Sequence, residues 1–176
     1  MNDYGVLLLR LVTGGLIAGH GSQKLLGAFD GPGLEGTAGY MESLGLQPGK
    51  VWGTAAALSE SAGLLTALGF LHPLGPIGTL ASMTMGAVKV HGGKPIWVTS
   101  GGAELPLTNI AAALALILTG PGKFSLDRAF GIRLPRPLVI AVAALAAVSV
   151  AYGLTSQPAP QGGQAAQADD AAHAGK

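Results

Sequence analysis

The chain of 176 residues contains no cysteine. It therefore cannot form disulfides, supply a thiolate nucleophile, or hold an iron–sulfur cluster or a cysteine-ligated zinc ion by itself. Any redox chemistry at this chain would need a cofactor or a partner subunit. The start also lacks the basic segment of a signal peptide, and no Ala-x-Ala-like cleavage site follows Arg10, so we expect the first apolar segment to be retained.

Charged residues are scarce as well. Only 11% of the residues are charged, whereas 49% are hydrophobic, and the mean hydropathy is +0.48. This composition is too apolar for a soluble domain of this length and indicates a membrane protein, with the lipid bilayer as its first partner. Ten basic residues nearly balance nine acidic ones, so the net charge does not favour a nucleic-acid partner.

Apolar segments of roughly 20 residues, the length of a membrane-spanning helix, alternate with breakers rich in Gly and Pro. They predict an all-α fold: a polytopic transmembrane helix bundle with a four-helix core plus a fifth C-terminal transmembrane helix. The short turn at 72–76 makes the second and third helices an antiparallel hairpin. The predicted segments are 5–26, 51–71, 74–92, 103–120 and 137–154.

The chain divides into a four-helix bundle over 1–128, an additional transmembrane helix over 129–155 and a tail over 156–176. We expect the tail to be disordered, because it lacks bulky apolar side chains. In the long first connection, apolar side chains recur at helical spacing and predict a short amphipathic helix on the membrane surface. These side chains are Leu34, Ala38, Met41 and Leu44.

The distribution of basic residues predicts the orientation. The loop 121–136 contains four basic residues against Asp127 alone, and basic loops stay in the cytoplasm. An odd number of spans then puts the N-terminus in the cytoplasm, with the chain in a bacterial cytoplasmic membrane. Small residues four apart, Gly15 with Gly19 and Ser82 with Gly86, favour close helix packing.

Strong polar groups of the first helix share one stripe of about 80° at 100° per residue. Charges in hydrocarbon should face the bundle interior and find partners there. Glu60 lies near the centre of the second segment, so we predict a contact between Arg10 and Glu60, direct or through water. The stripe consists of Arg10, Thr13, Ile17, His20 and Lys24.

A second group lies at the outer ends of the predicted helices, where Lys89 joins His20 and Lys24. Two interpretations remain open: a polar pocket that opens to the outer face, or a buried network that only fixes helix register. For the pocket, His20 and Glu60 are the candidate catalytic residues. The candidate ligand-binding residues are Arg10, Gln23, Lys24, His91, Glu104 and Asn109.

Other motifs carry less weight. His20, His91 and Glu104 could suit a divalent ion, but no pair has helical ligand spacing, so we predict no metal site. The segment "GPGLEG" matches a dinucleotide-binding pattern yet follows a helix rather than a strand, which makes it a loop. His72, in a turn, and His173, in the tail, are expected to be solvated.

Five segments within about residues 5–128 follow one another in a recognisable order: "LLLRLVTGGLIAGHGSQKLLGAFDGPGLEGTAGYMESLGL", "LSESAGLLTALGFLHPLG", "VHGGKP", "GGAELPL" and "GPGKFSLD". In these segments the chain resembles the DoxX family of small bacterial four-helix membrane proteins. This resemblance implies a membrane subunit of an oxidoreductase complex, with redox subunits as partners and a quinone as a candidate ligand. Arg10, His20, Gln23, Lys24, Glu60, His91 and Glu104 stand at the family's polar positions. The fifth helix and the tail depart from the four-helix pattern.

Two functions from different classes therefore remain. The chain is either a redox-complex subunit whose polar pocket receives a quinone headgroup or another small polar molecule, or a non-catalytic scaffold or transport-assisting protein with a structural polar core. Whether the chain takes part in catalysis stays open.

Overall fold

The computed structural model describes residues 2–157, and within that range the regular structure is helical throughout. The all-α class is thereby confirmed. Short π-helical turns at Arg10–Gly14 and Gly86–Val90 interrupt or extend two of the helices. The helices are α1 (Asp3–Leu26), α2 (Gly33–Ser43), α3 (Gly49–Ser61), α4 (Gly63–Leu68), α5 (Leu74–Met85), α6 (Glu104–Thr119), α7 (Leu126–Phe130) and α8 (Arg136–Thr155).

Local sequence signals explain where α1 starts and stops. The Asn2 side chain accepts a hydrogen bond from the Gly5 N–H, which satisfies one of the free donors of the first turn. At the other end Gly27 adopts φ 70°, the left-handed conformation that glycine reaches without strain. α1 is therefore one long helix over the range that the first apolar segment predicts.

α1 packs along α3 and α4, and glycines set their close approach. A Cβ on Gly14 would lie 2.5 Å from the Ala67 nitrogen, and a Cβ on Gly63 would lie 2.6 Å from the Ala18 nitrogen. Gly15 and Gly19, in contrast, have no neighbour within 4 Å of a built Cβ. The predicted packing role of these two glycines is wrong, because they face away from the α1–α3 contact.

α2 forms over the range that the spacing of its apolar residues predicts, but its apolar face does not lie open to lipid. Ala38 and Met41 are buried, and a Cβ on Gly53 of α3 would lie 3.1 Å from the Ala38 Cα. α2 therefore packs against the first half of α3. This contact corrects the expectation of a helix that rests on the membrane surface through these residues.

The predicted hairpin between the second and third segments is present, since α5 packs antiparallel on α3 and α4. α6 returns alongside α5. α8 lies at the edge, with Gly153 as its buried residue. Near its C-terminus, Tyr152 stacks on Trp52 of α3 with ring centroids 6.1 Å apart.

Helix length and hydropathy separate these helices into two groups. Within residues 2–157, Asp3–Leu26 and Arg136–Thr155 are long and apolar enough to cross a membrane, whereas Glu104–Thr119 is apolar but shorter. Two of the five predicted segments therefore meet this criterion. Membrane crossing by the other helices stays a prediction.

Candidate functional site

Lys24 and Glu60 form an ion pair between α1 and α3. The Lys24 ammonium donates to Glu60 Oε2. The Glu60 side chain is 6% exposed, whereas the Lys24 side chain is 26% exposed. The pair is therefore a buried carboxylate that reaches the surface of the bundle through its lysine partner.

Arg10 has different partners from those that the sequence predicts. Its guanidinium donates to three backbone carbonyls: Pro121 O, Ala67 O at 3.2 Å and Phe124 O at 2.9 Å. No hydrogen bond or ion pair within the described residues joins Arg10 to Glu60. The predicted Arg10–Glu60 contact is wrong, because each residue has another partner.

The position of α3 along the bundle explains this difference. The first half of α3 packs on α2, beyond the end of α1, so Glu60 lies beside the last turns of α1 rather than near its middle. A Cβ on Gly21 would lie 2.6 Å from the Ser61 Cα. Glu60 is therefore at the level of Lys24, about 21 Å along the helix from Arg10.

The Arg10 end contains an acid that the sequence did not single out as functional. Asp127 is buried, and its two carboxylate oxygens accept hydrogen bonds from the backbone N–H groups of Leu71 and His72, each at 2.8 Å. The Asp127 N–H donates to Gly69 O at 3.0 Å. These contacts tie α7 to the α4–α5 turn.

His72 is partly buried rather than solvated, which corrects the expectation for this turn. Burial lowers the pKa of His72 below its ordinary value, the nearby Asp127 carboxylate opposes that shift, and the Arg10 charge adds to it. His72 is therefore held towards its neutral form. His173 lies outside the described residues.

The histidines and the acid at the other end do not meet in one pocket. His20 is exposed, with Nδ1 3.0 Å from Gln23 Oε1. His91 Nδ1 lies 2.7 Å from Gly101 O, and Glu104 accepts from the Val98 N–H at 2.9 Å. Within residues 2–157 no hydrogen bond or ion pair links His20 or Lys24 to His91 or Glu104. His20, His91 and Glu104 each contact a residue nearby in the sequence instead.

Asn109 lines a different feature, a small cavity of about 10 Å³ between α1, α4, α5 and α6. Thr13, Thr66 and Thr79 provide its other polar side chains. The Thr66 hydroxyl is buried and has no hydrogen-bond partner among the described residues. The cavity is about the size that a single water molecule needs.

The sequence did not identify three buried or partly buried polar residues as functional candidates: Asp127, His72 and Thr66. Asp127 was counted only as a charge in the basic loop. Its signal is its position two residues after Ser125, in the first turn of α7, which Ser125 caps by accepting from the Arg128 N–H at 3.2 Å. Nothing in the sequence marks Thr66, because threonine is common in membrane helices. No cluster of three or more His, Asp or Glu side chains suited to a metal ion occurs within residues 2–157.

Together, the helical fold, the apolar surface and the buried charges define a small helical membrane protein. The family model of DoxX matches residues 5–92, half of the chain, and the chain belongs to the DoxX family. The match covers α1 to α5 and includes both members of the Lys24–Glu60 pair. Neither a curated protein nor a solved structure matches the chain.

Proposed function

We propose that this chain is the membrane subunit of a redox complex in the bacterial cytoplasmic membrane. The observation that carries the proposal is the Lys24–Glu60 pair, which combines a buried carboxylate with a partly exposed ammonium group. Buried ionisable groups in membrane helices are costly and are commonly found at ligand or proton sites. The absence of cysteine means that electrons must come from a partner subunit or a cofactor.

The site for a quinone headgroup, or for another small polar molecule, would be the flank of α1 rather than the interior of the bundle. The interior cavity of about 10 Å³ is too small for an aromatic ring. On the flank, His20 is exposed, Lys24 follows it one turn later, and the neighbouring Leu16 is 65% exposed. Donors therefore stand beside apolar surface, which suits a ligand that arrives through lipid.

Each residue of this flank would have its own role. A quinone supplies two carbonyl oxygens that accept hydrogen bonds and take up protons on reduction. Lys24 would donate to such an oxygen, Glu60 would orient Lys24, and the His20 imidazole would hold or release a proton. Gln23 would fix the imidazole through its contact with Nδ1. Arg10, His91, Glu104 and Asn109 lie outside this set.

We also propose that the chain crosses the membrane five times with its N-terminus in the cytoplasm. The Asp3 carboxylate accepts from the Lys123 N–H and pairs with its ammonium group at 3.2 Å, so the N-terminus and the basic loop lie at the same end. Basic loops stay on the cytoplasmic side.

A second function is favoured by one observation, the bonding of Arg10. Three carbonyls bind its guanidinium, and this arrangement holds α1, α4 and the loop after α6 together without any ligand. A scaffold or transport-assisting protein would need no more than such a structural polar core.

Glu60→Gln separates the two functions, with Glu35→Gln as the matched control, since Glu35 lies on α2 outside the ion pair and loses the same charge. For a quinone site, added quinone raises the unfolding temperature of the wild type and of Glu35→Gln but raises that of Glu60→Gln less. Quinone-dependent turnover of the complex falls in Glu60→Gln at equal membrane abundance. A wild type that quinones do not stabilise would favour the scaffold.

A further inference from the structure

A wide opening lies at the opposite end of the molecule from Lys24 and Glu60. It is a pocket of about 650 Å³ between the start of α1, the α4–α5 turn and the loop around α7. Its size falls within the roughly 300–1,000 Å³ typical of small-molecule sites. We refer to it as the basic pocket, after its cationic residues Lys123, Arg128 and Arg133.

The acids of the basic pocket are already engaged. Asp3 pairs with Lys123, and both Asp127 oxygens accept from backbone N–H groups. Arg128 and Arg133 are exposed, and neither forms an ion pair within the described residues. Two guanidinium groups therefore line an open volume with no protein carboxylate paired to them, and guanidinium groups bind phosphate oxygens in a bidentate manner.

Exposed aromatic side chains surround this end of the molecule. Tyr4 is 72% exposed and contacts Phe124 with ring centroids 5.0 Å apart, and Phe130, just before the pocket residue Gly131, is 70% exposed. Aromatic side chains at a helix end are typical of the membrane–water interface, where lipid headgroups lie. These aromatic side chains therefore form an apolar rim beside the basic pocket, at the same end of the molecule.

The position of the pocket is also fixed. The Arg10 guanidinium donates to Pro121 O and Phe124 O in the loop before α7, and the Asp127 N–H donates to Gly69 O. The loop that carries the cations is therefore anchored to α1 and to the end of α4. A preorganised loop loses little freedom when a ligand binds.

We infer that the basic pocket binds the phosphate of an anionic glycerophospholipid, held by Arg128 and Arg133 with the acyl chains along the aromatic rim. This site is separate from the proposed quinone flank, and it depends only on the membrane location of this end of the chain. The lipid is favoured over a soluble phosphate compound because exposed aromatic residues adjoin the pocket.

The test uses the purified full chain, in zwitterionic phosphatidylcholine nanodiscs, titrated with phosphatidylglycerol, with lipid binding measured by native mass spectrometry and by the unfolding temperature. The variant is Arg128→Gln/Arg133→Gln. The matched control, Lys50→Gln/Lys94→Gln, removes two exposed cations from the other end of the bundle. If each cation contributes about 1 kcal/mol, or about fivefold, the first variant binds phosphatidylglycerol about 25-fold more weakly. The control should change binding less than about twofold.

A charge-conserving variant and a soluble ligand complete the test. Arg128→Lys/Arg133→Lys keeps the charge but loses the fork geometry, so it should recover part of the affinity. Unfolding temperatures in pure phosphatidylcholine establish that every variant is folded. Equal losses in the variant and the control would overturn the proposal. So would tight binding of free glycerol phosphate in detergent, which would identify a soluble anion as the ligand.

Discussion

Arg10 and Lys24 lie on the same helix and carry the same charge, yet their surroundings differ. Arg10 is 3% exposed and is held by three carbonyl oxygens, none of which can change its protonation. Lys24 is held by one carboxylate, and its side chain remains 26% exposed. Both cations satisfy the requirement that buried charges find partners, but they do so with different chemistry.

The difference between carbonyl and carboxylate partners indicates which of the two cations can take part in function. Backbone carbonyls are fixed by the helices and loops that carry them, so the Arg10 end resembles a clamp between chain segments. A carboxylate can gain a proton or release its partner, so the Lys24–Glu60 pair can respond to a ligand. Substitutions at the two ends of α1 test this contrast, and those at Arg10 should have the largest effect.

Arg10→Met should have the largest effect on stability. It leaves the carbonyls of Pro121, Ala67 and Phe124 without their donor, and each unpaired buried polar group costs about 1–3 kcal/mol, so the total loss should be about 3–9 kcal/mol. Reversible unfolding in mild detergent measures it. Arg10→Lys should recover only part of the loss, because an ammonium lacks the guanidinium fork. A smaller loss of unfolding free energy than that of Lys24→Met would contradict the proposal that Arg10 holds the chain segments together.

A double-mutant cycle of Lys24→Met and Glu60→Gln tests the other end. Each single change breaks the ion pair, and residues in direct contact typically show coupling of about 0.5–3 kcal/mol. We expect the double variant to lose less stability than the sum of the two single variants, because it leaves no unpaired buried charge. Unfolding free energies in the same detergent give the coupling. Additive losses would show that the pair contributes nothing beyond its separate side chains.

The positions of the helices could be predicted from the sequence, but the partners of Arg10 and Glu60 could not. The apolar segments predicted α1, the α4–α5 hairpin, α6 and α8 closely, because their signals are local. The partner of Arg10 carried no signal, since every residue has a carbonyl and only the tertiary fold brings Pro121 and Phe124 to Arg10.

The partner of Glu60 was missed for a different reason. Lys24 was placed on the correct stripe of α1, but the level of Glu60 depended on how far α3 extends beyond α1. That extension follows from the packing of α2 on α3, which a helical pattern in one segment does not specify. His20 was assigned to the same buried stripe, and it is exposed because it lies at the edge of that arc.

Thr66→Val tests whether the buried Thr66 hydroxyl lacks a hydrogen-bond partner in the folded protein. The Thr66 hydroxyl has no partner among the described residues, and valine has nearly the same shape, so the change should stabilise the protein by about 1 kcal/mol. Thr79→Val is the control, since the Thr79 hydroxyl donates to Gly75 O at 3.2 Å and its loss should be mildly destabilising. Unfolding free energies in detergent measure both changes. Destabilisation by both variants would instead indicate that the Thr66 hydroxyl binds a water molecule in the interior cavity.

The smallest expected effect is a pH dependence confined to the Arg10 end. Because the pKa of His72 is lowered by burial, the unfolded chain binds a proton at this histidine more readily than the folded chain. The stabilising contribution is therefore fully present above the ordinary pKa of about 6.5 and declines as the pH falls below it. Asp127 and Arg10 both act on His72: the carboxylate opposes the lowering of its pKa, and the Arg10 charge adds to it. The other charged residues that line the same pocket are Asp3, Lys123, Arg128 and Arg133. Unfolding measured from about pH 8 to about pH 5 should show this decline in the wild type and a weaker one in His72→Gln. An unchanged slope in His72→Gln would assign the pH dependence to another group and would leave the Arg10 clamp insensitive to protons.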